Sequence, residues 1–393
     1  MFSSGSDHQD AIVNQIGGGR DVSSCGLKIL ITNAFLKGYS GTEVVVRDLA
    51  VELKRQGHLP SVFSKELGAI AHEVRNRGIE VVSDLTTLTA VPDIIHGNHH
   101  PLLVEALLQF PSIPAVWVFQ GATSRLDEPF YFPRILRYVS VDNRCRERVE
   151  SSSDIPSSKI DVIWNAVDLQ RFQLRDPLPS KPRRALVFSN QTTQLPAVRR
   201  ASRRMGLELD VVGLGAGTVV PNPESVLPSY DIVFAKARCA LEAMATGNAV
   251  VLCDFAGVGP MVTTENFDRL RCMNFGLGAL INPLQAEHLE TEIRRYDSND
   301  AARVTQRIRS EAGLVGATHR WVELYLTVLA EFRNMPRQPD AELRSLAVYL
   351  RKWNYESRVE WERKQLGKLE AIPLLGKRLL PSVRRALHWW ENA

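Results

Sequence analysis

Short apolar runs alternate with amphipathic segments along most of this 393-residue chain. The first run, residues 27–32 (LKILIT), has the length of a buried strand and is followed by a glycine-containing turn. Over residues 42–55, apolar side chains then recur at the spacing of one helix face, and Gly57 ends the pattern. Strands that alternate with helices pair in parallel, because each helix returns the chain to the same end of the sheet. The pattern therefore predicts an α/β fold built on open parallel sheets.

A proline-rich segment divides the predicted strands into two series. The other strands of the first series are predicted at residues 61–63, 79–82, 93–96, 115–119, 138–141 and 160–164, and those of the second at 184–188, 208–212, 232–234 and 249–253. Pro177, Pro179 and Pro182 lie between the two series and indicate a linker. The predicted organisation is a flexible leader over residues 1–26, an N-terminal Rossmann-like domain over 27–170, a linker over 171–184, a C-terminal Rossmann-like domain over 185–334 and a helical tail over 335–393.

The composition argues against several classes of protein. Lysine plus arginine (48) nearly balance aspartate plus glutamate (44), which does not fit a dedicated nucleic-acid-binding protein. The five cysteines are scattered and odd in number, which disfavours a disulfide scaffold or a structural zinc site and favours a reducing compartment. The sequence has no apolar run of transmembrane length, and its first 26 residues lack the apolar core of a secretory signal. We therefore expect a cytoplasmic protein.

Residues 241–247 (LEAMATG) are the most informative for function. They place Glu242 on a helix that a glycine ends, directly before the apolar strand that begins at Asn248. Because open parallel sheets bind ligands outside the carboxyl ends of their strands, a carboxylate here can accept the two vicinal hydroxyls of a ribose. Gly257 and Gly259 follow the strand and are predicted to form a loop whose backbone N–H groups approach a sugar or a diphosphate.

This block resembles the C-terminal half of the GT-B glycosyltransferases, specifically glycosyltransferase family 4, the group 1 or glycogen-synthase-like enzymes. Other segments resemble motifs of that family in the same order: 39–43 (YSGTE), 93–101 (DIIHGNHHP), 139–142 (VSVD) and 163–168 (IWNAVD). The resemblance spans about residues 27–330. It implies two facing Rossmann-like domains with a cleft between them, and transfer of a sugar from a nucleotide sugar with retention of configuration. It also implies no cofactor and no metal ion, which agrees with the lack of any Asp-x-Asp sequence.

The catalytic positions of the family differ in this chain. The acid expected eight residues before Glu242 is Phe234, and the first strand of the C-terminal domain is not followed by a lysine. Gln120 stands where the family often has a histidine near the transferred sugar. Lys236 and Arg238 lie at the start of the Glu242 helix, where two cations can stabilise a diphosphate leaving group. The predicted catalytic residues are therefore Lys236, Arg238 and Gln120.

Further residues are predicted to line the two sides of the cleft. The predicted donor-binding residues are Glu242, Gly257, Gly259, Asn190 and Gln191, and the predicted contacts to the acceptor or the transferred sugar are Gly41, His99 and His100. Each of these residues has a structural alternative, such as a solvated helix acid, a surface charge or a capping group in an exposed polar loop. The histidine spacing does not favour a metal site.

The sequence thus favours a retaining glycosyltransferase that moves a sugar from a nucleotide-sugar donor to a glycan or lipid-linked acceptor, in surface polysaccharide synthesis. Two alternatives stay open. A nucleotide-sugar-binding pseudoenzyme or regulatory partner of GT-B fold fits Phe234 and Gln120, and a nucleotide-sugar epimerase shares the same fold.

The tail is predicted to be helical and locally basic. Residues 340–365 predict one charged helix that carries Trp353 and Trp361. Residues 367–390 combine lysines and arginines with leucines and end in two tryptophans. This segment fits either a helix packed on protein, which Pro373 and Pro381 favour, or attachment to an anionic membrane surface. The second interpretation would place the protein on the inner face of a membrane.

Overall fold

The computed structural model describes residues 26–151 and 154–370, with side chains as far as residue 354. The predicted leader up to residue 25 lies outside this range. So do the side chain of Trp361 and the basic segment after residue 370, so the two interpretations of the tail stay predictions.

The N-terminal domain is built on a parallel sheet. Its elements in chain order are β1 (Lys28–Thr32), β2 (Phe35–Leu36), α1 (Gly41–Arg55), β3 (Leu59–Phe63), β4 (Glu66–Leu67), α2 (Ala69–Asn76), β5 (Glu80–Val82), β6 (Ile94–Asn98), α3 (His100–Gln109), β7 (Ala115–Phe119), β8 (Ile135–Ser140), α4 (Asn143–Glu150) and β9 (Ile160–Val162). The seven strands of the sheet lie in the order β5-β3-β1-β6-β7-β8-β9, and β2 and β4 pair beside it. The central strands β6 and β7 are buried along their whole length, as expected for a parallel sheet with helices on both faces.

The C-terminal domain repeats this architecture with five strands. Its elements are β10 (Arg184–Phe188), α5 (Leu195–Arg204), β11 (Glu208–Val212), α6 (Pro223–Val226), β12 (Ile232–Ala235), α7 (Ala237–Thr246), β13 (Ala249–Asp254), β14 (Gly257–Met261), α8 (Phe267–Cys272), α9 (Ala286–Ile293), α10 (Ser298–Glu311) and α11 (Leu314–Arg333). The strand order is β11-β10-β12-β13-β14, with β14 antiparallel to its neighbour. The two α/β domains confirm the predicted fold class.

Strand β12 separates two apolar cores. Val233 packs on one face of the sheet with Leu241 of α7, whereas Phe234 packs on the other face with α5 and α9. Phe234 is fully buried in this second core. The position at which the family carries an acid is therefore a core position of a strand in this chain.

The predicted glycine loop after β13 is instead the antiparallel strand β14. A Cβ atom at Gly257 would lie 2.5 Å from the carbonyl oxygen of Asn282, and one at Gly259 would lie 2.6 Å from the carbonyl oxygen of Ala279. Both distances are shorter than side chains tolerate, so the close approach of residues 279–282 explains the glycines. The prediction of a ligand-binding loop here is wrong in its secondary structure.

Helix α11 returns the chain to the N-terminal domain. The predicted boundary at residue 334 assigned this helix to the C-terminal domain, but it packs against α1, β7 and β8. Its Glu331 carboxylate accepts a hydrogen bond from Arg137 of β8 at 2.7 Å. The helix therefore fastens the two α/β domains to one another.

Residues 130–133 and the chain after Met335 form a second compact unit. In this unit, α12 (Pro339–Glu370) confirms the predicted charged helix, and the rings of Phe130 and Tyr349 lie 4.9 Å apart. Among the described helices, none is both long and apolar enough to cross a membrane.

Candidate functional site

Three strands of the C-terminal sheet end at a shared polar cluster. Ser189 follows β10, Lys236 follows β12, and Asp254 ends β13. The Lys236 ammonium lies 3.0 Å from Asp254, and the Ser189 hydroxyl lies 3.4 Å from the same carboxylate. Asp254 is buried, whereas about a quarter of the Lys236 side chain is exposed. Lys236 thus keeps an open side at the carboxyl edge of the sheet, where an anionic ligand is expected.

Asp254 was not among the predicted site residues, although its position directly after a predicted strand was a usable signal. In addition to Lys236, it accepts a hydrogen bond from the backbone N–H of Phe255 at 2.6 Å. A buried carboxylate that pairs with the lysine fixes the position of the ammonium group at the strand ends.

Arg238 lies between carboxylates from both α/β domains. Its Nε donates to Glu242 at 2.8 Å, one helical turn along α7, and its Nη2 donates to Asp48 of α1. The three side chains are each less than a tenth exposed. Burial opposes the charge on Arg238, but Asp48 and Glu242 outweigh burial and raise its pKa, so the guanidinium stays charged.

The same cluster determines the state of Glu242. Burial raises the pKa of the Glu242 carboxyl, Arg238 acts against this, and Asp48 acts with it. Glu242 was predicted as a ribose ligand, and Arg238 as a cation that stabilises the diphosphate leaving group. In this structure both are buried and bonded to each other, so they contact a ligand only if the cluster rearranges.

The N-terminal domain contributes the loop over residues 37–41. Glu43 accepts hydrogen bonds from the backbone N–H groups of Lys37, Gly38 and Ser40 at 2.6, 2.9 and 2.9 Å. Burial opposes ionisation of Glu43, but the Ser40 hydroxyl and these N–H groups outweigh burial and lower its pKa. Gly41, predicted to contact acceptor or sugar, is exposed at the first residue of α1. Glu43 therefore holds the loop in place, and Gly41 stays accessible.

His99 and His100, predicted to contact the acceptor or the transferred sugar, are buried. The Nδ1 of His99 accepts a hydrogen bond from Ala34 N–H at 3.0 Å, and the Nε2 of His100 lies 3.0 Å from the carbonyl oxygen of Arg125. Burial lowers the pKa of His99 to about 4, so its ring is neutral at pH 7. The prediction of an exposed polar loop is wrong, because α3 begins at His100 and buries both rings.

Gln120 lies where the two domains meet. It donates to the Asn98 side chain at 3.2 Å and lines a cavity of about 40 Å³. Asp48 and Arg238 line the same cavity. The structure thus places Gln120 and Arg238 at one cavity, and their catalytic roles stay predictions. A space of this size holds no more than a few water molecules, so a nucleotide sugar requires a more open cleft.

Asn190 is exposed at the end of β10 and reaches the N-terminal domain. Its side-chain amide lies 3.4 Å from the carbonyl oxygen of Tyr39, and its side-chain oxygen accepts from Leu214 N–H at 3.0 Å. Gln191 is also exposed, and its backbone N–H donates to the Ser189 hydroxyl at 3.1 Å. Both predicted donor ligands therefore lie at the carboxyl edge of the C-terminal sheet, opposite the loop over residues 37–41.

Within the described ranges, no group of three or more histidine, cysteine, aspartate or glutamate side chains is arranged to hold a metal ion. Metal independence stays a prediction.

Comparisons with known proteins agree with this architecture. Residues 39–171 match the model of the family described as Glycosyltransferase Family 4, which confirms the resemblance seen in the sequence. A glycosyltransferase from Rickettsia africae ESF-5 is similar at 16% identity and a TM-score of 0.58, over 77% of this chain and 99% of that chain. HepE of Anabaena, solved with UDP and glucose, is similar at 14% identity and a TM-score of 0.56, over 76% of this chain and 99% of that chain. No curated protein matches this chain. The solved structures show that the fold is that of GT-B glycosyltransferases, and the family match covers residues 39–171.

Proposed function

We propose that this protein is a retaining, metal-independent hexosyltransferase, which moves a sugar from a nucleotide-sugar donor to a glycan or lipid-linked acceptor in surface polysaccharide synthesis. One observation carries the proposal. The carboxyl edges of the two sheets face each other, with the Lys236–Asp254 pair and Asn190 on one side and the loop over residues 37–41 on the other. Two substrates that must meet in one reaction require such a paired arrangement.

The donor belongs on the C-terminal side of this cleft. Lys236 is the partly exposed cation at the first turn of α7, where a diphosphate gains from both the ammonium charge and the helix N-terminus. Glu242 lies along the same helix and can accept ribose hydroxyls once the two domains separate enough to admit a donor. Negative charge on the leaving diphosphate grows in the transition state. The Lys236 ammonium would therefore stabilise the transition state more than the bound donor.

UDP is the first nucleotide to test, because a protein of the same fold is described in complex with UDP and glucose. In a thermal-shift screen over UDP-, GDP- and ADP-sugars, we expect the sugars of one nucleotide to raise the melting temperature. A ligand at 100 times its Kd adds about 2.7 kcal/mol to the free energy of unfolding. Turnover with retention is then read from the anomeric configuration of the product by NMR. If no nucleotide sugar shifts the melting temperature, the proposed function is wrong.

Two variants separate the proposed roles within the site. Lys236→Ala should lower turnover more than donor affinity, whereas Glu242→Gln should weaken donor binding itself. Lys54→Ala is a matched control, because that lysine bonds backbone carbonyls away from the cleft. Unchanged donor affinity in a folded Glu242→Gln protein would refute the ribose role.

A pseudoenzyme that binds a nucleotide sugar without transferring it is the second candidate. Two observations favour it: Arg238 is bonded to two carboxylates, and Phe234 occupies a core position in place of an acid. Donor binding without product formation, across a panel of glycan and lipid-linked acceptors, would decide for this candidate.

We place the protein in the cytoplasm, and the basic tail suggests a peripheral position on the inner face of a membrane. Co-sedimentation with anionic liposomes at low and high salt tests this, comparing the full chain with a chain that ends at Arg363. Equal recovery of both proteins in the supernatant at low salt would assign the tail to protein packing.

A further inference from the structure

An ion pair crosses the cleft at the site where the donor is expected. Arg238, the second residue of α7, donates to Asp48 of α1 and to Glu242 on its own helix. Asp48 and Arg238 are separated by 190 residues in the chain and belong to different α/β domains. The Asp48 carboxylate therefore brings a negative charge from the N-terminal domain to the first turn of α7.

A carboxylate and a phosphate offer similar oxygens to a guanidinium group, which can bind either through its planar donors. The first turn of a helix favours either anion for the same electrostatic reason. Asp48 thus provides at Arg238 the type of charge that a donor diphosphate would provide. With Asp48 at that position, the cavity between the domains has a volume of about 40 Å³.

The pair can separate without leaving a buried charge alone. Asp48 also accepts a hydrogen bond from Arg47 of its own helix at 2.8 Å, and Arg47 in turn donates to Glu73 at 3.1 Å. On the opposite side, Arg238 retains its bond to Glu242 at 2.8 Å. Removing one partner of a buried ion pair is strongly destabilising, chiefly because it leaves the other charge buried and unpaired. Here each charge has a second partner in its own domain, so exchange with a ligand is feasible.

We propose that the Asp48–Arg238 ion pair is an autoinhibitory contact, in which the Asp48 carboxylate occupies the place on Arg238 that a phosphate group of the donor takes. Donor binding exchanges phosphate for carboxylate and releases this contact between the domains. This proposal rests on the proposed function and deepens it, because it identifies the residue that competes with the substrate.

Asp48→Asn tests the competition in the full-length protein, since it removes the charge and keeps the shape. UDP, GDP and ADP are titrated separately by calorimetry into the wild type and the variant. We expect Asp48→Asn to bind whichever nucleotide the wild type binds about tenfold more tightly, which corresponds to about 1.4 kcal/mol. Asp93→Asn is the matched control: it removes the same charge from an exposed position and should leave the Kd unchanged.

Two further measurements test whether the gain acts through Arg238 and whether the ion pair holds the two domains together. In the Asp48→Asn, Arg238→Ala double variant, the tenfold gain should disappear, since the competition has no target. Without nucleotide, small-angle X-ray scattering should give Asp48→Asn a larger radius of gyration than the wild type. Should Asp48→Asn fail to fold, as judged by thermal unfolding, Asp48→Ser replaces it as a smaller uncharged side chain.

The outcomes separate this proposal from the proposed function. If the wild type binds none of the three nucleotides, the proposed function fails and the competition fails with it. If the wild type binds one of them and Asp48→Asn binds it no more tightly, the autoinhibitory contact is refuted and the proposed function stands.

Discussion

The ring of His96 and the hydroxyl of Tyr325 share a buried hydrogen bond of 2.6 Å between β6 and helix α11. Burial lowers the pKa of His96 to about 3, so the imidazole is neutral at pH 7. Trp321 packs edge-on against the same ring at 4.8 Å. His96 therefore holds α11 against the N-terminal domain. This is a structural role, although His96 lies in the segment over residues 93–101 that resembles a motif of glycosyltransferase family 4.

Removing the Tyr325 hydroxyl should destabilise the protein. Tyr325→Phe leaves the buried His96 nitrogen without its partner, which we expect to lower the free energy of unfolding by about 1–2 kcal/mol. Tyr230→Phe is the matched control, because its hydroxyl bonds to the exposed Asp210 and water can replace it. Urea unfolding monitored by fluorescence measures both. Equal loss in the two variants would show that His96 gains nothing specific from Tyr325.

Two glycines that were both predicted to contact ligands should respond in opposite ways to alanine. At Gly259, a Cβ atom would meet the Ala279 carbonyl oxygen at 2.6 Å, so Gly259→Ala should destabilise the protein by roughly 2 kcal/mol or more. At Gly41, no atom lies within 4 Å of the added Cβ, and alanine favours the helix, so Gly41→Ala should be neutral or stabilising by up to about 0.5 kcal/mol.

Thermal unfolding distinguishes the two variants, and turnover of Gly41→Ala adds a second test. A stable Gly41→Ala protein with impaired turnover would indicate that a substrate approaches the backbone at the start of α1. A stable Gly259→Ala protein would contradict the steric explanation for the glycines of β14.

The fold could be predicted because its strands are continuous apolar runs between turn signals. Residues 115–119 and 184–188 were predicted with the bounds that the structure shows. Strand β14 could not be predicted, because its sequence GVGPM contains two glycines and a proline and has no strand pattern. The glycines are explained by the close approach of the backbone at residues 279–282, which no local sequence pattern reveals.

For the candidate site, the sequence indicates which helix carries Lys236 and Arg238, but not which side chains they bond to. Lys236 and Arg238 lie at the helix start that the sequence indicates. No local pattern reveals that Asp48 reaches Arg238, since that contact depends on how the two domains meet. The same applies to His99 and His100, whose polar sequence context predicts exposure although helix α3 and its surroundings bury them. Tertiary contacts decide these cases.

Glu43 should stabilise the loop over residues 37–41 in a pH-dependent way. Its pKa is lowered in the folded state, so its contribution is complete above the unfolded value of about 4.5 and is lost as the pH falls. We expect Glu43→Gln to lower the free energy of unfolding by about 2 kcal/mol at pH 7, and by less at pH 4. Glu66→Gln, which removes an exposed ion pair with Lys37, should change it by less than about 0.5 kcal/mol at either pH. If the loss of unfolding free energy in Glu43→Gln is as large at pH 4 as at pH 7, the Glu43 carboxylate does not stabilise the loop through its charge.

Asp127 should have the opposite pH dependence. Burial raises its pKa to about 7, while the Gly121 N–H and Arg148 act against burial without overcoming it. The folded protein therefore keeps a proton that the unfolded chain loses near pH 4, and the stability this provides is lost as the pH rises through about 7. Asp127→Asn accepts the same N–H bond without titrating, so its advantage over the wild type should grow by about 2–3 kcal/mol between pH 5 and pH 8. Asp84→Asn is the control, because the exposed Asp84 carboxylate has a lowered pKa. Its free energy of unfolding should differ from that of the wild type by the same amount at pH 5 and pH 8. Denaturant unfolding at pH 5 and pH 8 measures these free energies. If Asp127→Asn and the wild type differ by the same free energy of unfolding at both pH values, Asp127 is already ionised at pH 5.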